Sequence, residues 1–154
     1  MNKYMSLAVQ EAFDGMRKGD GGPFGAVIVQ NGKVIASAHN EVIKTNDPTM
    51  HAEVNAIRKA TKLLGRFDLS DCEIYSSCEP CPMCFAAIHW AKMKTLYFGA
   101  SRYDAADIGF DDQYIYDVIL GKATKEQVEI IRIDCDECLE PFKEWSGKFD
   151  KVEY

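Results

Sequence analysis

The chain has 154 residues, of which 47% are hydrophobic and 27% charged, and its formal net charge is −6. That length suits one compact domain with a full core, and the composition excludes a disordered chain. The acidic balance speaks against a grip on a nucleic-acid backbone, which a basic face usually supplies, and favours a small, weakly charged ligand.

No run approaches the roughly 18 apolar residues that a membrane span needs. The opening MNKYMSLAVQEAFDGM mixes charges into its apolar positions, so neither a membrane anchor nor a signal peptide is expected. A cytoplasmic location follows as the expectation. Six cysteines stand at positions 72, 78, 81, 84, 135 and 138. In a reducing compartment their close Cys-x-x-Cys spacing reads as metal or redox chemistry rather than disulfides.

In chain order, residues 3–18 carry apolar side chains near helical spacing and stop at GDGG. FGAVIV and VIASAHN then flank Asn31-Gly32, the strongest short hairpin signal. Residues 26–29 are apolar throughout, so both faces of that strand are expected to be covered. After TNDPT, the stretch MHAEVNAIRKATKLLG predicts a helix closed by Gly65. CEIYSS predicts a strand, and CPMCFAAIHWAK a helix with Pro82 in its first turn. TLYFGAS is a further strand, followed by a helix at 113–120, the strand QVEIIRI at 127–133 and a helix around 139–148. The order is that of a single-domain α/β protein over 1–154, a three-layer α-β-α sandwich with a five-stranded mixed sheet.

The chemistry concentrates in two places. His51 and Glu53 lie two residues apart at the start of one predicted helix, and Cys81 and Cys84 open another. Residues i and i+3 share a helical face, and a helix N-terminus favours thiolate, so both cysteines can address one ion. One imidazole and two thiolates make a donor set suited to zinc, one ion per chain, with a fourth tetrahedral position left for water. H-x-E…P-C-x-x-C is the signature of zinc nucleobase deaminases. Zinc would make that water reactive near neutral pH, and Glu53 would be the general acid–base that moves its protons. A non-catalytic zinc or thiol-redox protein would leave Glu53 without a purpose.

GGPFGAVIV, TNDPTMHAEVNAIRKA, SSCEPCPMCFAAIHWA and AADIGFDDQYIY resemble segments of the cytidine deaminase-like superfamily, and within it the compact bacterial guanine deaminases. The first three segments are partly shared with tRNA adenosine deaminases; GFDD and the C-terminal Tyr154 discriminate better. The resemblance implies a cytidine deaminase-like fold and hydrolysis of guanine to xanthine and ammonia. It also implies that Asn40 hydrogen-bonds the purine ring, that Phe24 lines the base pocket, and that Asp112 and Tyr154 recognise or close over the base. It further implies a homodimer in which a C-terminal segment, about 125–154, is exchanged between subunits. Deamination of tRNA adenosine, cytosine, guanosine or a related heterocycle stays open as the alternative. Cys135 and Cys138 have no nearby His/Cys pair to complete a site. Glu79 is either behind the ligand loop or substrate-facing. Cys78 and Trp90 are expected to be packed, and His39 and His89 to be ordinary.

Overall fold

The computed structural model describes residues 2–123, 128–133 and 135–153, Cys135 by its backbone alone. Helix α1 (Lys3–Lys18) starts where the Asn2 side chain accepts the backbone N–H groups of Tyr4 and Met5. It stops at Gly19, whose φ of 75° is the left-handed cap that glycine adopts freely. The buried stripe of α1 is Ala8, Ala12 and Gly15, small residues that let the helix lie close on the sheet.

Strands β1 (Gly25–Gln30) and β2 (Lys33–His39) pair antiparallel across Asn31 and Gly32, both at positive φ (49° and 75°), as a two-residue hairpin requires. β3 (Cys72–Cys78) runs antiparallel to β1, and β4 (Thr95–Ala100) parallel to β3, giving the order β2-β1-β3-β4. A parallel neighbour needs a crossover, and α4 (Pro82–Trp90) provides it.

Side chains alternate between the faces of the sheet. Val27, Val29 and Tyr75 pack with Ala8 of α1 on one side. Ala26, Ile28 and Ile74 pack on the other with Ala52, Ala56 and Ala60 of α3 (Ala52–Leu64) and Ile88 of α4. β1 is therefore covered on both faces, as its unbroken apolar run implies. The short α2 (Val42–Thr45) and α5 (Arg102–Asp107) were not expected; α6 (Gln113–Ile119) was. α7 (Cys135–Gly147) begins four residues before the expected position and takes Pro141 into its interior.

Two expectations need correction. The mixed sheet has four strands among the described residues, because 128–133 form no strand. Their apolar side chains are exposed, Ile130 by 80%. A period-two pattern says which residues share a face, but a strand exists only where a neighbour receives its hydrogen bonds. Trp90 is 65% exposed rather than in the core, because it ends α4 on the outer side of a helix that is apolar nearly all round.

Candidate active site

The N-termini of α3 and α4 converge. His51 is the N-cap residue of α3 and Cys81 that of α4, both with extended backbones. Neither spends its side chain on the cap, so both are free to meet. His51 Nδ1 lies 3.5 Å from Cys81 Sγ and 3.6 Å from Cys84 Sγ, one turn further along α4. Tetrahedral zinc with ordinary Zn–N and Zn–S bonds would set nitrogen and sulfur about 3.6 Å apart, so the three donors fit that ion in kind and in spacing. The Cys81 thiol is pulled down to about 4, first by the hydrogen bond with Cys84 and then, against burial, by His51. Cys84 moves upward as the pair's proton-bearing partner. Such a pair gives up its second proton when a cation arrives.

Glu53 follows in the first turn of α3 and is 5% exposed. Burial pushes its pKa up, and the Cys81 thiolate adds to that against its hydrogen bonds. Ser76 on β3 donates its hydroxyl to Oε1 at 2.9 Å. A carboxyl poised in this way suits both receiving and releasing a proton.

His51, Cys81 and Glu53 line a cleft of about 560 Å³, within the range of small-molecule sites, and Cys84 beside them is fully buried. Phe24, Asn40 and Asp112 line it, so the structure brings together every predicted site residue that it describes. Tyr154 lies outside the described residues. Asn40 closes β2: its N–H bonds Phe24 O at 3.0 Å, and its Oδ1 accepts the Val42 N–H at 3.1 Å. Gly21 packs so closely on this amide that a side chain there would collide with it. Phe24 meets Phe110 edge-on, with ring centroids 4.9 Å apart.

The neighbouring aspartates divide their roles. Asp111 accepts the Gln113 N–H at 2.9 Å and so starts α6. Asp112 makes no cap bond, and burial, then the Cys81 charge, raises its pKa.

Around these residues stand others that hold them. His39, expected to be ordinary, bridges Glu11 (2.8 Å) and Asp20 (2.9 Å), tying the end of β2 to α1 immediately behind Asn40. Asp20, His39 and Glu41 also form a cluster of potential metal donors, but Lys44 occupies its carboxylates at 2.6 and 3.4 Å. Glu79 lines the cleft and accepts the Arg102 backbone N–H at 3.0 Å, while its own N–H bonds Ala100 O. Tyr116 donates to Pro80 O at 2.8 Å. These bonds fix the loop that carries Cys81. Cys78 is buried as expected, its thiol pushed up to about 11 by burial. His89 and Cys138 are exposed, and the Cys135 side chain lies outside the described residues.

Phe110, Arg102 and Ser76 were missed from the sequence. Phe110 stands inside GFDD and was within reach, and Ser76 is a hydroxyl in a mostly apolar strand. Nothing local marks Arg102.

Residues 1–100 match the family model described as the cytidine and deoxycytidylate deaminase zinc-binding region. The chain is 48% identical to the guanine deaminase of Bacillus subtilis (strain 168) over 98% of its own length and 97% of that protein. It is 39% identical to a tRNA-specific adenosine deaminase of Agrobacterium fabrum over 84% of this chain and 90% of the other. The crystal structure of the Bacillus subtilis guanine deaminase superposes with a TM-score of 0.93 at 47% identity, covering 100% of this chain and 99% of that one.

Proposed function

The chain belongs to the cytidine and deoxycytidylate deaminase family, and from that premise we propose that it is a zinc-dependent aminohydrolase that converts guanine and water to xanthine and ammonia. The observation that carries this reading is the buried Glu53 beside a His51, Cys81 and Cys84 triad at the base of a cleft shared with Asn40 and Asp112. The near full-length similarity to a guanine deaminase favours guanine over the RNA-borne adenosine of the other relative.

One zinc ion per chain, held by His51, Cys81 and Cys84, supplies when bound the Lewis acidity that makes water nucleophilic near neutral pH. Glu53 takes the proton of the attacking water and carries it to N3 as oxygen adds to C2. It then moves the remaining hydroxyl proton to the exocyclic nitrogen, which leaves as ammonia while the C2 carbonyl forms. Asn40 orients the ring through its amide, Phe24 packs on it, and Asp112 offers a carboxyl oxygen to its N–H donors.

We place the enzyme in the cytoplasm as a homodimer. The 128–133 segment exposes Ile130, Ile131 and Ile133, and α4 exposes Phe85 and Trp90, apolar surface that a second copy would cover. In this arrangement the C-terminal segment crosses between subunits, and Tyr154 closes over the neighbour's base, excluding water and the sugar of a nucleoside. A panel of guanine, adenine, cytosine, guanosine and an RNA hairpin tests the assignment. Guanine turnover is the expected outcome; turnover of the hairpin with none of guanine would replace it.

A further inference from the structure

We propose that Ser76 is a positioning residue for proton transfer: its hydroxyl fixes the Glu53 carboxyl so that one oxygen is held and the other is presented to the reacting atoms. The inference rests on the deaminase reading above and adds a residue that does not touch the substrate.

β3 is an interior strand, and Ser76 sits in the middle of it, opposite Ala26 on β1 and Phe98 on β4. It is 2% exposed, on the face that turns Ile74 toward α3 and α4. A hydroxyl there is costly unless it is bonded, and an alanine would pack without that cost. The Ser76 hydroxyl donates to Glu53 Oε1 at 2.9 Å. Ser76 is not part of the cleft wall, so it acts on Glu53 from the side remote from the ligand.

The geometry explains why such a hold is needed. The terminal torsion of a glutamate is broad and nearly two-fold; besides Ser76, the Glu53 carboxyl meets its own backbone N–H and the Cys84 thiol, and the thiol stops being a donor once that sulfur binds a cation. Glu53 must meet the water, N3 and the leaving amine in turn. A donor mounted on the rigid centre of the sheet fixes the plane from which those transfers are made. Ser77, the next residue, turns to the opposite face and accepts the Gly25 N–H at 3.0 Å. It bonds the backbone rather than Glu53, and is therefore the natural control.

The test compares Ser76→Ala, Ser76→Thr, Ser76→Val and Ser77→Ala with the unaltered protein, each checked for full zinc content. Ser76→Ala should lower kcat by about 10- to 100-fold with KM unchanged, the scale of a small misplacement of a reacting group. Threonine and valine share a shape and differ in the hydroxyl, so Ser76→Thr should retain most of the kcat that Ser76→Val loses. In a Glu53→Gln background, Ser76→Ala should cost nothing further, because the two residues act as a unit. Ser77→Ala should lower the melting temperature and leave kcat and KM in place. Equal kcat in the threonine and valine variants would overturn the proposal. Crystal structures of these two give a readout that does not depend on the substrate. The Glu53 carboxyl should stay bonded in Ser76→Thr and turn away in Ser76→Val, and an unmoved carboxyl in both would overturn it. If guanine is not turned over at all, the substrate assignment fails while the crystallographic comparison still decides the role of Ser76.

Discussion

His51 and Cys81 meet because each begins a helix without using its side chain as the cap, and Cys84 joins them from the next turn. Removing one donor, as in Cys81→Ala, should lower the zinc content measured by atomic absorption from one per chain toward zero and abolish turnover. Glu53→Gln should instead keep the zinc and lower kcat by about 10²- to 10⁴-fold, the usual worth of general acid–base catalysis. Zinc loss in Glu53→Gln would make that residue structural. These four residues were legible in the sequence because their spacing is local: two residues apart in one pair, three in the other, each at a helix start. Asn40, Phe24 and Asp112 carry no such spacing, and only resemblance pointed to them. The partners of Ser76 and Arg102 were illegible because they lie across the fold, set by strand register and helix docking rather than by neighbours in the chain.

Two contacts between elements hold the cleft in shape. α1 crosses β1 so closely that a side chain at Gly25 would run into the Ala8 carbonyl and sit 2.6 Å from the Ala12 nitrogen. Gly25→Ala should cost about 1–3 kcal/mol of stability in a denaturant titration, as overpacking does. The other contact is the Glu11–His39–Asp20 clamp behind Asn40. Burial acts to raise the Glu11 pKa, but bonds from Ser37 and His39 outweigh it, so the folded value lies below the ordinary one of 4.5. A depressed carboxylate pKa contributes stability that is present above the unfolded pKa and lost as pH falls through the folded one. Glu11→Gln should therefore melt below the unaltered protein at neutral pH, with the gap closing as pH drops beneath that range. A gap that persisted in acid would assign the effect to packing. The hairpin and the helices were readable because turn residues and periodicity are written locally. Of the strand expected at 127–133, the described residues 128–133 form none, because a partner strand is a property of the whole sheet.

At the scale of the molecule, the acidic charge supports the proposed free-base substrate, and the apolar outer face of α4 with the exposed 128–133 segment supports the proposed homodimer. If Tyr154 completes the neighbour's site, mixing Glu53→Gln with Tyr154→Ala after brief unfolding should restore activity that neither variant has alone. Each mixed dimer would then hold one site with both residues intact; mixtures that stay inactive would place Tyr154 in its own subunit's site.

Guanine is proposed to be hydrolysed at C2 by the centre that Glu53, His51, Cys81 and Cys84 form. Mass spectrometry of the product formed by zinc-loaded protein in heavy-oxygen water tests it most directly. Xanthine carrying one heavy oxygen is the expected product, with one ammonia released per xanthine. Unlabelled xanthine, or guanine left unchanged, would contradict it.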